Sequence, residues 1–224
     1  MEQGFWQSRW SQQRIGFHQA EGSELLRRYA PDWLGDAAAR AGQRVLVPLC
    51  GKSQDLHWLA SQGLQVVGVE FVTQAVEAFF AEAGMTADVT LHAEGTRYHT
   101  PAIDVWRADM FALGEAQLGR FPLIYDRAAL VALPPARRAE YVRHLLSLCE
   151  PGARILLVTF THTGAPDGSN PGPPFCVPDD EVREIYAAAS SIEQIHADDL
   201  TGVPAALTSA GISQVTECVW RIVV

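Results

Sequence analysis

The residues most able to do chemistry lie where short apolar runs end in glycine or in a charged side chain. Pro48-Leu49-Cys50-Gly51-Lys52-Ser53 closes the run RVLVPL at residues 44–49. A glycine at such a strand-to-helix turn lets a ligand approach the backbone closely. Glu70 ends the next run, QVVGVE, 19 residues after Gly51. That is the place and spacing of the carboxylate that grips ribose hydroxyls in nucleotide-binding βαβ units, since a carboxylate accepts two hydrogen bonds from a vicinal diol.

Two phosphate motifs fail here. Gly51-Lys52-Ser53 resembles the end of a P-loop, but the required earlier glycine is Leu46. The GxGxxG fingerprint fails as well, because Ser53 and Leu56 stand where it needs glycines. A nucleoside ligand without phosphates fits a single-glycine turn better. Asp109-Met110-Phe111 follows a third run and offers an apolar slot with an acceptor for an adenine ring, although Phe111 as plain core is equally consistent with its type. Tyr125-Asp126-Arg127 ends a fourth run; its default reading is an ion pair, and its place over the expected cleft is the functional alternative.

Before the first run come Phe5, Trp6, Trp10, Phe17 and His18, with the aromatics at 6, 10 and 17 near helical spacing. A helix packed on the domain explains them, and so does a lid that excludes water; the two are compatible. A lone His18 more often makes a structural hydrogen bond than acts as a base. No Ser-His-Asp arrangement is found among the seven histidines.

These residues need a scaffold, and the composition allows one. The 224 residues suffice for one large domain or two small ones, and at 48% hydrophobic and 19% charged they offer ample core material and too little charge for disorder. A net charge of −9 argues against a nucleic-acid or anionic-membrane partner, which needs a basic footprint. Cys50, Cys149, Cys176 and Cys218 form no CxxC pair, so neither a zinc site nor a disulfide scaffold is expected, and a reducing cytoplasm is the simplest setting. The opening MEQGFWQSRW has no apolar signal-peptide core, and no apolar run is long enough to span a bilayer. Lys52 is the only lysine and Asn170 the only asparagine, a bias best read as compositional.

The periodicity alternates strands with helices. Strands are expected at 44–49, 65–70, 103–108, 121–125 and 154–161, and helices at 53–62, capped by Ser53, at 73–83, capped by Thr73, at 135–149 and at 179–189. Residues 84–101 are polar and irregular. Residues 192–197 and 214–224 alternate apolar with polar and read as an antiparallel pair at a sheet edge. Strand–helix alternation implies a mostly parallel sheet covered by helices on both faces. One domain is expected over 1–224, with residues 1–40 as a helical extension or lid.

Five blocks then carry a resemblance: Trp6-x3-Trp10-x6-Phe17-His18-Gln19, PLCGKSQD from Pro48, VVGVE ending at Glu70, YDRAALVALPPARRAEY from Tyr125, and GPPFCVPDDEV from Gly172. In order and over essentially the whole chain, they resemble the thiopurine S-methyltransferase family in its bacterial form. The resemblance implies a class I, Rossmann-like methyltransferase with a seven-stranded sheet, one strand antiparallel, using S-adenosylmethionine to methylate sulfur in thiopurines or similar aromatic thiols. It implies cofactor contacts at Trp10, Leu49, Glu70 and Arg127, with Trp6, Asp109 and Met110 lining the same site and Phe17 at the boundary with the acceptor. Gly51 and Glu70 are reached from the residues alone; Leu49 and the role of Arg127 are not.

Two departures bear on the acceptor. Residues 203–210 (VPAALTSA) lack the arginine that some members carry shortly before the glycine matching Gly211, and the linker at 164–170 is longer than usual. Bacterial relatives are also linked to selenium and tellurium compounds. Another small-thiol or inorganic-anion methyltransferase would share the cofactor features. A dehydrogenase lacks its glycine fingerprint here, and a non-catalytic binding domain would need no aromatic lid. A soluble monomer acting on a small molecule is expected, with no metal site and no general base.

Overall fold

The structure is a computed structural model that describes residues 3–36, 40–165 and 167–224. The chain divides into two compact units, Met1–Ile124 and Tyr125–Val224. The strand β6 (Phe121–Arg127) runs through the boundary.

The first unit opens with helices α1 (Gln3–Ser11) and α2 (Glu24–Leu34). Strands β1 (Arg44–Pro48) and β2 (Gln65–Glu70) follow, joined by α3 (Asp55–Ser61). In both strands four or more successive residues are buried, the mark of a strand covered on both faces. Valines at 45, 47, 66, 67 and 69 suit that position, because β-branched side chains pack well on a pleated surface. Helix α4 (Thr73–Glu82) turns Ala75, Val76, Phe79 and Phe80 inward. After it come β3 (Asp88–His92), β4 (Gly95–His99) and β5 (Ile103–Arg107), then a 3-10 turn at Met110–Ala112 and the short α5 (Glu115–Leu118). The strand order in this unit is β3-β4-β5-β2-β1-β6. The pairs β1·β2, β2·β5 and β1·β6 are parallel.

The stretch that polarity marks as irregular is the β3–β4 hairpin, which adds antiparallel pairs to the sheet edge at β3·β4 and β4·β5. All five residues of β3 are exposed, so no buried face imposes the alternation by which a strand is read from sequence. The described residues thus form nine strands, where seven are expected, and more than one strand runs antiparallel. Two expected caps also differ. Thr73 is the first helical residue and Val72 the cap position; Gln54 precedes α3, while the Ser53 hydroxyl accepts the Asp55 amide at 3.2 Å.

The second unit holds the end of β6, a 3-10 turn at Leu130–Ala132, α6 (Pro135–Ser147), β7 (Cys149–Thr161), α7 (Asp179–Ile185), β8 (Ser191–Asp199), α8 (Ala205–Ser209) and β9 (Thr216–Val223). β9 lies antiparallel between β7 and β8, the edge pair that alternation leads one to expect. Pro134 precedes α6 and Pro135 opens it, where a missing N–H costs nothing. The fully buried Arg138 uses its guanidinium on the Leu133 carbonyl, the Cys176 carbonyl and Glu181. It thereby ties the GPPFCV segment to α6.

Candidate functional site

In the first unit, Glu70 at the end of β2 is nearly inaccessible, 6% exposed, not the solvated strand end its type suggests. Its Oε2 accepts the Gly51 amide at 3.0 Å and its Oε1 accepts the Val72 amide at 2.7 Å. Burial pushes this carboxyl from an ordinary 4.5 up to about 7, against the opposing pull of the Val72, Gly51 and Phe71 amides. Desolvation therefore wins over three backbone hydrogen bonds, and the ionised group would gain from further donors. Its two oxygens offer about four acceptor sites in all, so the three amides leave room for one more.

Gly51 itself has φ +55°, and a Cβ there would sit 3.2 Å from the Trp10 ring and 3.8 Å from the Phe17 ring. The close approach is thus made by the chain's own aromatics. Trp10 is the one buried residue of α1 and packs with Val72 and Ala75, with Trp6, Ile15, Phe17 and Phe71 around them. Trp6 and Trp10 each meet the Phe17 ring edge-on, at 5.8 and 6.0 Å between centroids. Leu49 stands at the end of β1 with φ +49°, a left-handed conformation that leucine rarely adopts. Strain of this kind concentrates at ligand-binding turns.

Asp109 caps its own turn by accepting the Phe111 amide at 3.0 Å. It also lines a cleft of about 480 Å³ with Phe71, Ala108, Ala112 and the hairpin residues Leu91 to Thr96. Met110 is buried, at 2% exposure, and neither it nor Phe111 lines that cleft. Phe71, which follows Glu70 directly, is among the apolar residues of the cleft's lining. Trp6, Trp10, Phe17, Gly51 and Glu70 are thus brought together, and Asp109 shares a cleft with Glu70's neighbour.

Arg127 belongs to the second unit. There Asp126 is fully buried, accepting the Leu130 amide at 3.1 Å and the Tyr141 hydroxyl at 2.8 Å. Burial pushes its carboxyl up to about 6, against those hydrogen bonds. Ala128, next to Arg127, has φ +62°, so the chain turns sharply after the arginine. Burial raises the Glu217 carboxyl, and the Arg127 charge opposes that rise. Sequence reasoning misses Ala128, since alanine carries no signal for a left-handed turn, and it misses the Phe71 and Val72 amides, since backbone donors are not residue types.

Among the described residues no helix is long and apolar enough to cross a membrane, and no group of three His, Cys, Asp or Glu is placed to hold a metal ion.

A buried strand-end carboxylate bonded to a glycine turn, an adjoining cleft of mixed polar and apolar lining and a sheet of this order fit a nucleoside ligand without phosphates. Among solved structures, the chain is similar to a 1,6-didemethyltoxoflavin-N1-methyltransferase from Burkholderia thailandensis bound to S-adenosylhomocysteine, with TM-score 0.63 and 15% identity over 98% of this chain and 85% of that one. An arsenic(III) S-adenosylmethionine methyltransferase from Chlamydomonas reinhardtii shares the fold at TM-score 0.60 and 15% identity, over 82% of this chain and 64% of that one. Fold and site together define a class I, S-adenosylmethionine-dependent methyltransferase. A family model for thiopurine S-methyltransferase matches residues 1–223. Relatives of that name are 44% identical in Pseudomonas fluorescens strain SBW25, over 100% of this chain and 99% of the relative, and 41% identical in Bordetella petrii, over 99% and 98%. The chain belongs to the thiopurine S-methyltransferase family.

Proposed function

We propose that the protein transfers the methyl group of S-adenosylmethionine to the sulfur of small aromatic or heterocyclic thiols, thiopurines among them. The observation that carries this reading is the aromatic cluster of Trp6, Trp10 and Phe17, with Trp10 and Phe17 resting on Gly51 beside the buried Glu70, in a chain of this family. Soft selenium and tellurium anions present a similarly polarisable nucleophile and fall in the same acceptor class.

When bound, the cofactor supplies a methyl group already activated on a sulfonium. The chain's own residues hold and shield it. Glu70 takes the ribose hydroxyls, Leu49 and Gly51 form the turn beside it, and Asp109 with Met110 supports the adenine end. Trp6 and Trp10 close over the cofactor, Phe17 separates it from the acceptor, and residues 1–40 act as a lid on a single methyltransferase domain spanning 1–224. Arg127 favours an anionic thiolate electrostatically and helps hold the cofactor. Proximity and orientation then carry most of the rate, because an ionised thiol needs no base. No side chain is assigned that role.

The net charge of −9 and four free, buried cysteines support a monomeric enzyme that works in a reducing cytoplasm on a small molecule, without nucleic acid or membrane partners. The deciding experiment incubates the enzyme with S-adenosylmethionine and a thiopurine or thiophenol. S-adenosylhomocysteine should form together with the S-methyl product. Cofactor binding without turnover on any thiol would overturn the acceptor assignment.

A further inference from the structure

The aromatic segment joins α2 through Glu21-Gly22-Ser23, and this junction is built around one buried carboxylate. Asp55, in the first turn of α3, is 1% exposed, and its Oδ1 accepts the Ser23 amide at 2.6 Å. Ser23 is itself buried, and its hydroxyl caps α2 by accepting the Leu26 amide at 3.3 Å. Gly22 has φ +73°, and a Cβ there would lie 2.8 Å from the same Asp55 oxygen. Only glycine fits between the carboxylate and the lid. The Gly22 amide donates to the Gln19 carbonyl, and Arg27 donates to the Glu21 carbonyl, so the junction is held from both sides.

The far part of the segment rests on the same short stretch of chain. Trp10 and Phe17 lie over Gly51, four residues before Asp55 on the same strand-to-helix turn. Residues 51–55 therefore touch the segment twice, at its tip and at its root. A buried carboxyl is costly unless it is hydrogen-bonded, so the Ser23 amide and Asp55 hold each other in place.

We infer that Asp55 is a positioning residue that pivots the aromatic lid at Gly22–Ser23, so that the turn around Gly51 sets the pose in which Trp10 and Phe17 close over the cofactor. The inference rests on the lid reading above. Asp55 touches neither cofactor nor acceptor; it acts through the Ser23 amide. Loss of the bond leaves the sheet intact and frees the root of the lid.

The test measures hydrogen exchange of residues 3–20 with and without S-adenosylhomocysteine, and its affinity by calorimetry, in the wild type, Asp55→Ala and Asp55→Asn. In the wild type the ligand should slow exchange in this segment. In Asp55→Ala that slowing should vanish and affinity fall about tenfold, the size of one lost hydrogen bond, while β1 and β2 stay protected. Asp55→Asn keeps an acceptor for Ser23 and should restore most of both. Wild-type slowing in a folded Asp55→Ala overturns the pivot and leaves the lid reading standing. No ligand-dependent slowing in the wild type overturns the lid reading and the pivot with it. If Asp55→Ala does not fold, Gly22→Ala takes its place, because its Cβ displaces the junction while the carboxylate remains: lost slowing supports the pivot, and unchanged slowing overturns it.

Discussion

Glu70 and Gly51, 19 residues apart in sequence, are joined directly, the Gly51 amide donating to the Glu70 carboxylate at 3.0 Å. One bond thus couples the strand-end acid to the glycine turn, and the state of the acid becomes a property of the whole cofactor turn. Burial holds the Glu70 carboxyl at about 7, above its ordinary 4.5. A folded-state value raised in this way gives stability that is present below about pH 4.5 and is lost as pH rises through about 7. Ribose hydroxyls donate to the ionised form and favour it, so cofactor binding should release a proton. Affinity for S-adenosylhomocysteine should climb with pH and level off above about 7. Calorimetry at pH 6 in buffers of different ionisation enthalpy should register release approaching one proton, about what a two-unit shift across that pH gives. Glu70→Gln should abolish the release, and a wild type that releases none would sink the ribose assignment.

Removal of the acid outright gives a second expectation. Glu70→Ala should weaken S-adenosylmethionine binding by about 1.5–3 kcal/mol, the range for hydrogen bonds to a charged group. It also strands the Gly51 and Val72 amides, so loss at the upper end is expected. A folded variant with unchanged affinity contradicts the assignment.

The parts of this site that depend on residue type and spacing are legible in the sequence. Gly51 and Glu70 stand at the ends of two buried, β-branched strands, and the 19-residue interval is set by one helix and one strand. Leu49 and Ala128 are not legible, because their positive φ is imposed by the turns they occupy and neither side chain favours it. The β3–β4 hairpin escapes for a different reason. Its β3 strand has no buried face, so Val89 and Leu91 point to solvent and no pattern distinguishes strand from loop. The Asp55–Ser23 bond spans 32 residues and involves a backbone donor, which no motif records.

Gly51 and Gly16 make a matched pair. An alanine Cβ at Gly51 would press on Trp10 at 3.2 Å and would have to hold φ +55°, whereas at Gly16 nothing lies within 4 Å. Gly51→Ala should therefore lift the aromatic segment, weaken S-adenosylhomocysteine binding and reduce the change in tryptophan fluorescence that accompanies it. Gly16→Ala should match the wild type in both. Equal behaviour of the two variants would show that the approach of Trp10 to the turn has no part in binding.

Ala128 tests strain on its own. A non-glycine residue in the left-handed region costs about 1–2 kcal/mol, and glycine gives back about 0.4–1 kcal/mol through the unfolded chain. Ala128→Gly should leave thermal stability equal or raised by up to about 1 kcal/mol. A fall in melting temperature would mean that the Ala128 methyl, and not the turn, matters at this position.

Acceptor choice should follow the ionisation and softness of the attacking atom. The motive is the absence of an assigned base together with Arg127 at the end of β6, where its charge already offsets burial of Glu217. An aliphatic thiol stays largely protonated near neutral pH, while an aromatic thiol is more acidic and presents more thiolate. Aromatic and heterocyclic thiols should be methylated well, aliphatic thiols poorly and phenols hardly at all. With S-adenosylmethionine saturating, so that the Glu70-linked affinity does not enter, the rate for each thiol should rise with pH until the thiol is ionised, and the midpoint should track the substrate and not a residue of the enzyme. Arg127→Lys keeps the charge but loses the planar two-pronged donor, so it separates geometry from charge. A clear loss of rate is expected, with the order of substrates unchanged. The measurement is S-adenosylhomocysteine formation from matched thiols and phenols across pH, for the wild type and Arg127→Lys. Equal rates for a phenol and its thiol analogue would contradict sulfur selectivity, and a midpoint common to all thiols would point to an ionising group on the protein instead.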